Sequence, residues 1–246
     1  MLIVVDHTLS MAVQPNGSAT PQARPELSKW ALAIDAIETM TAEYEERLRF
    51  GLELFPRDPG DGTCVTLAEK LAGKSATNPK CEQGQVLVPV AVKSAKDIAS
   101  ALDPQTTLLC ISTPIGKAIN TASTYLASIQ EPVRSQYVLI LTDGRDTCET
   151  PDPVERVQTL AAAGVSTFVV GFDGSGKGID ASTLNNMACA GKTAPDFASS
   201  CADSGGGAYV AADPEGAPLF LPATSGKELK AMLASVAGLV GCADVY

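Results

Sequence analysis

The sequence predicts an α/β fold: a doubly wound, mostly parallel central sheet flanked by helices. Three observations lead there. Short, continuous, β-branched apolar runs recur along the chain, as expected of strands covered on both faces. Segments with helical spacing of apolar residues lie between them. Strands alternating with helices imply right-handed crossovers, which place helices on both faces of the sheet.

Leu2 to Val5 is the first such run and reads as a central strand. A loop rich in Pro, Gly, Ser and Gln follows from Ala12 to Pro25. Trp30, Ile34, Ile37 and Tyr44 then recur at helical spacing and mark an amphipathic helix from Ser28 to Glu45. Leu48 to Phe55 is the second strand, stopped by Pro56. Residues 56–84 form a polar excursion with Cys64 and Cys81 near its ends. Val86 to Val92 carries Pro89 and is expected at a sheet edge. Ile115, Ala118, Ile119, Ala122, Tyr125 and Leu126 mark a helix, and Tyr137 to Leu141 a strand. Asp152-Pro153-Val154-Glu155 supplies an N-cap, an N1 proline and an N3 glutamate for the next helix, closed by Gly164. Val165 to Val170 is another buried strand, and Ala208 to Ala211 a last short one. Ser225-Gly226-Lys227-Glu228 reads as a capping box opening a final helix, where Leu229, Leu233 and Val236 share a face.

With no internal repeat and no dividing linker, residues 1–246 read as one domain. Its 45% hydrophobic content supports a sizeable core, and no apolar run approaches the ~20 residues of a membrane span. A net charge of −10 argues against a nucleic-acid partner. Seven cysteines without a C-x-x-C pair, and a single histidine, disfavour a structural zinc site. They suit a disulfide set made in an oxidising compartment, which points to an extracellular, cell-surface or periplasmic location. The first residues lack a signal peptide and enter a strand directly, so the chain is expected to be a fragment of a longer exported protein.

In doubly wound sheets ligands bind at the carboxyl ends of strands. The first strand ends in Asp6-His7-Thr8-Leu9-Ser10, a carboxylate and two hydroxyls at alternating positions. A later strand ends in Leu141-Thr142-Asp143-Gly144, and Thr113 stands between them where a helix begins. Asp6, Thr8, Ser10, Thr113 and Asp143 make an all-oxygen set for a hard cation, Mg²⁺ first, Mn²⁺ or Ca²⁺ next. Fewer than six protein ligands leave a position for water or a partner's carboxylate.

These loops resemble the von Willebrand factor A family, a Rossmann-like fold whose metal-ion-dependent adhesion site combines Asp-x-Ser-x-Ser, a separate Thr and an Asp in a Thr-Asp-Gly turn. Thr-Pro-x-Gly at Thr113 to Gly116 and Arg49-Phe50-Gly51-Leu52 extend the likeness, and the composition is similar to secreted bacterial members. The resemblance implies a non-enzymatic domain, in which a divalent ion bridges to a Glu or Asp of a protein or surface ligand. Thr8, Leu9 and Cys110-Ile111-Ser112 depart from the family's usual Ser, Gly and Gly-Gly. His7 is expected as a solvent-facing turn residue.

Three alternatives stand beside this reading. One is an intracellular, non-catalytic subunit of a chelatase or ATPase assembly, against which the cysteines argue. Another is a structural domain with an empty metal site. The remote one is a nucleotide-dependent enzyme using Gly171 to Lys177, which fits G-x-x-x-x-G-K but is followed by Gly178 instead of Ser or Thr. Spacing and topology suggest the disulfides Cys64–Cys81, Cys189–Cys201 and Cys110–Cys148, with Cys242 free or paired outside this sequence; the competing scheme joins Cys201 to Cys242 and leaves Cys189 for Cys148.

Overall fold

The computed structural model describes residues 1–77, 80–148 and 150–243, with the backbone alone for 242 and 243. Its strands are β1 (Leu2–Asp6), β2 (Phe50–Phe55), β3 (Val65–Thr66), β4 (Gln85–Ala91), β5 (Leu108–Leu109), β6 (Gln136–Thr142), β7 (Val165–Phe172), β8 (Cys201–Gly205), β9 (Ala208–Ala211) and β10 (Leu221–Ala223). The helices are α1 (Lys29–Tyr44), α2 (Leu67–Leu71), α3 (Ala95–Ala101), α4 (Ile115–Ser128), α5 (Pro153–Ala162), α6 (Ala181–Ala190), α7 (Phe197–Ser200) and α8 (Gly226–Ala243).

Six strands form the central sheet in the order β10-β7-β6-β1-β2-β4. All pairings are parallel except β2–β4, which is antiparallel and puts Pro89 on the edge strand. β1 is buried at every residue because helices cover both of its faces. Ile3 and Val5 pack with Trp30, Ile37, Leu229 and Leu233 on the side of α1 and α8. Leu2 and Val4 pack with Ile115, Ile119, Val157 and Leu184 on the side of α4, α5 and α6. Local signals set the helix starts. Ser28 Oγ accepts from the Ala31 amide at 3.1 Å, and Asp152 Oδ1 from the Glu155 amide at 3.0 Å. The final helix is capped differently from the sequence expectation: the Glu228 amide donates to Ser225 Oγ, but its carboxylate turns to the amide and hydroxyl of Thr224.

Ala208–Ala211 is a strand, but it belongs to a separate hairpin with β8. The last strand of the central sheet is the three-residue β10, too short to show any periodicity.

Three disulfides cross-link the fold: Cys64–Cys110, Cys81–Cys148 and Cys189–Cys201. The third agrees with the sequence expectation and excludes Cys201–Cys242. The expected Cys64–Cys81 and Cys110–Cys148 pairs are not formed. The reason is a strand pairing: β3 lies antiparallel to β5 with Val65 opposite Leu109, which sets Cys64 beside Cys110. The 56–84 excursion therefore folds across the carboxyl edge instead of closing on itself. Its far end is held to α4, where Lys117 Nζ donates to the Cys81 carbonyl at 2.7 Å, next to Cys148. On the chain-entropy model each of these longer bridges is worth about 4 kcal/mol. The side chain of Cys242 lies outside the described residues. Peptide mapping of the unreduced protein is predicted to recover the 64–110, 81–148 and 189–201 pairs; a 64–81 peptide would contradict the β3–β5 pairing.

Glu53 is the anomaly of the core. It sits fully buried in β2, between Val4 of β1 and Val86 of β4, and neither carboxylate oxygen has a hydrogen-bond partner among the described residues. Gly84 makes room for it, since a Cβ there would lie 1.9 Å from Oε1. Burial alone pushes the Glu53 carboxyl well above its ordinary value of 4.5. The folded state thus holds the proton more tightly than the unfolded chain. Glu53 costs nothing extra below pH 4.5, and its penalty grows as pH rises toward the folded-state value. Replacing Glu53 with Met is predicted to raise Tm by ~3 °C or more at pH 8, about 1 kcal/mol in a chain of this size. At pH 4 the gain should be much smaller. An equal gain at both pH values would show that Glu53 is not strained by its charge.

Candidate metal centre

The parallel pairing of β1 with β6 brings Val5 opposite Leu141. Asp6 and Asp143 therefore leave the sheet at the same edge, on adjacent strands. Both are buried, with 0% and 1% exposure. Asp6 Oδ1 accepts from the Thr8 amide at 2.9 Å and Oδ2 from Thr142 Oγ1 at 2.7 Å. From there the hydroxyls run outward: Thr8 Oγ1 is 2.7 Å from Ser10 Oγ, which donates to Asp143 Oδ1 at 2.8 Å. Thr8 is buried and Ser10 exposed, so the set opens to solvent at Ser10.

Thr113 joins from the third loop. A Cβ built on Gly144 would lie 3.4 Å from Thr113 Oγ1 and 4.0 Å from Asp6 Oδ2. Both oxygens thus lie within 4.0 Å of one point beside Gly144. The Thr113 amide donates to Thr147 Oγ1 at 2.8 Å, and the Thr147 amide donates back to the Thr113 carbonyl. Asp146 takes the amides of Gly116 and Cys148, placing a carboxylate at the N-terminus of α4. Residues 7–9 pair with Cys110 through Leu9 N–H to Cys110 O and Cys110 N–H to His7 O. Ser112 has φ 77°, where the resembled family has glycine. A non-glycine residue there costs on the order of 1 kcal/mol, held in place by the disulfide and these stitches.

Charge is concentrated here. Burial, then the negative charge of Asp143, pushes Asp6 up to about 7, against the hydrogen bonds from Thr142 and Thr8. Burial also raises Asp143, while Lys29 and Ser10 pull it down and Asp173 raises it further. Two hydroxyl-linked carboxylates in a water-poor site form an anionic oxygen cluster that a cation relieves. The donor set fits a hard divalent ion.

Two residues differ from their sequence reading or escaped it. His7 does not face solvent. It is 4% exposed, with Nδ1 2.6 Å from the Leu108 carbonyl and Nε2 in close contact with the Pro56 carbonyl. Burial lowers its pKa, against the two carbonyls that raise it. His7 therefore pins the first loop to the chain after β2 and to the β5 loop. Lys29 was not singled out at all. Its ammonium lies 2.5 Å from Asp143 Oδ2, with 4% of the side chain exposed. The signal was present: a lysine at the first position of a helix stands at the positive end of the dipole.

The Gly171–Lys177 loop does not cradle a free anion. Asp173 accepts from the amides of Ser175, Lys177 and Gly178 and from Ser175 Oγ. Burial would raise its pKa, but these bonds outweigh it and lower the value. The amides that a phosphate would need are engaged by the loop's own carboxylate. A second cluster, Asp58 with Cys64 and Cys110 sulfurs within 4.8 Å, fails as a metal site because those sulfurs are bonded to each other. Two clefts, of about 680 Å³ beside Arg49 and Arg134 and about 580 Å³ beside Arg57 and Lys117, are lined by none of the five oxygen ligands.

The von Willebrand factor type A domain model matches residues 85–205. The match covers Thr113 and Asp143 but stops short of the first loop. No curated protein sequence matches significantly. Among solved structures, proximal thread matrix protein 1 from the mussel byssus aligns with TM-score 0.57 and 15% identity, over 97% of this chain and 46% of that one. Another structure of that protein has a zinc-occupied MIDAS motif (TM-score 0.55, 16% identity, 98% and 45% coverage). The PilB minor pilin from Streptococcus sanguinis aligns at 0.61 with 10% identity, over 98% and 61%. The SpRpn10 VWA domain aligns at 0.52 with 10% identity, over 80% and 82%. The chain thus has the architecture of von Willebrand factor type A proteins, and it spans less than half the length of the mussel protein.

Proposed function

We propose that the chain is a metal-dependent binding domain, in which Asp6, Thr8, Ser10, Thr113 and Asp143 hold one divalent cation, Mg²⁺ in preference to Mn²⁺ or Ca²⁺. The observation that carries this reading is the hydrogen-bonded chain Asp6–Thr8–Ser10–Asp143, joined through the Thr8 amide and hydroxyl and drawn from two strand ends, with Thr113 Oγ1 and Asp6 Oδ2 within 4.0 Å of one point beside Gly144. Bound there, the ion supplies a Lewis-acidic position that a carboxylate of a protein or surface partner completes. The chain's own work is positional. Hydroxyls of Thr8, Ser10 and Thr113 would hold the ion, and Asp6 and Asp143 would neutralise its charge.

The same domain has no catalytic role, binds no nucleic acid and works outside the cytosol. Three disulfides support export, and among the described residues no helix is long and apolar enough to cross a membrane. His7, the single histidine, is engaged by two carbonyls and is placed poorly for proton transfer to a substrate.

Titration calorimetry with Mg²⁺ and Mn²⁺ tests the metal assignment. Asp143→Ala is predicted to lose at least tenfold in affinity, which is about 1.4 kcal/mol. Equal binding by the variant and the unsubstituted protein would contradict it.

A further inference from the structure

In the described structure Asp143 already has a cation. Lys29 is delivered by the first turn of α1, its amide bonded to the Val13 carbonyl at 2.8 Å and Ser28 capping the helix beside it. Its Nζ lies 2.5 Å from Asp143 Oδ2, and both side chains are almost wholly buried. Apart from this contact, Oδ2 accepts no hydrogen bond among the described residues. The other oxygen of the same carboxylate, Oδ1, is the one bonded to Ser10. Asp143 thus stands between the hydroxyl relay on one side and an ammonium on the other.

Lysine is seldom buried unless its charge is matched. Here the match is doubled, because Lys29 also attracts Asp173, whose loop is folded tightly around its own carboxylate. Placing an ammonium at the positive end of a helix is unfavourable in itself. The position is accounted for by the acids it faces, Asp143 at 2.5 Å and Asp173 through its charge.

We infer that Lys29 is a tethered cation that competes with the divalent ion for Asp143, and so sets how tightly the site holds metal. The inference rests on the metal reading above. Like charges repel strongly at short range in a site with little water. A divalent ion entering beside Ser10 must either push the ammonium away from Asp143 or bind in its field. Both lower its affinity. In return, the metal-free site keeps Asp143 paired, so the fold does not depend on metal to bury that carboxylate. The domain is then one that exchanges its ion readily and stays folded without it.

The test compares the unsubstituted chain with Lys29→Met and Lys29→Arg, titrating each with Mg²⁺ and with Mn²⁺ after EDTA treatment. Lys29→Gln, which can still donate to Asp143, serves if the methionine variant does not fold. Lys29→Met is predicted to bind both ions at least tenfold more tightly, and Lys29→Arg no more tightly than the unsubstituted chain. In EDTA the methionine variant should melt at a lower temperature, and saturating Mg²⁺ should raise its Tm by more than it raises that of the unsubstituted chain. Binding by Lys29→Met alone would support the inference in its strongest form, while removing the metal-loaded function of the unsubstituted chain. Equal or weaker binding by Lys29→Met would overturn the inference and leave the metal reading standing. Binding by neither protein would overturn both.

Discussion

The constraint on which this structure turns is the placing of two buried carboxylates at the ends of adjacent parallel strands. Asp6 and Asp143 are separated by 137 positions in sequence and brought together by the β1–β6 register. Two such charges cannot remain unrelieved in a water-poor site. Around them lie three kinds of relief. Thr142 and the Thr8 amide bond to Asp6, Ser10 bonds to Asp143, and Lys29 supplies a positive charge. The cluster opens to solvent at Ser10, where an ion can approach.

The sheet positions the two acids, but it does not by itself shape the loops. That falls to cross-links outside the core. Cys64–Cys110 ties the excursion after β2 to the loop that carries Thr113, and Cys81–Cys148 ties it to the loop that follows Asp143. His7 fastens the first loop to both through carbonyls. The result holds Ser112 in a left-handed conformation where a freer chain would favour glycine. Disulfides thus stand in here for the backbone flexibility that glycines give elsewhere, and the oxygens are placed by covalent geometry as much as by packing.

Much of this was legible in the sequence, for identifiable reasons. Buried parallel strands are continuous apolar runs, so β1, β2, β6 and β7 stood out, and the polar residues that end them stood out as well. The alternating Asp6, Thr8 and Ser10, and the Thr142-Asp143-Gly144 turn, could be read because their spacing is local. What could not be read depends on long-range pairing or on rare burial. The β3–β5 pairing involves two residues on each side, too few for any periodicity, yet it decides which cysteines meet. β10 was hidden for the same reason, and Ala208–Ala211 was assigned to the sheet because a hairpin strand has the same local pattern. Lys29 was missed because lysines are ordinarily solvent-facing. Its position at the wrong end of a helix dipole was the clue. Glu53 was equally silent, one acid in an otherwise apolar strand.

The central claim is that five oxygen side chains from three loops hold one divalent ion. The most direct measurement is an anomalous difference map from a crystal grown with Mn²⁺. The account predicts a single strong peak at the carboxyl edge of the sheet, within coordination distance of the hydroxyls of Ser10, Thr8 and Thr113. A map with no peak there, or with the ion seated among other residues, would contradict it.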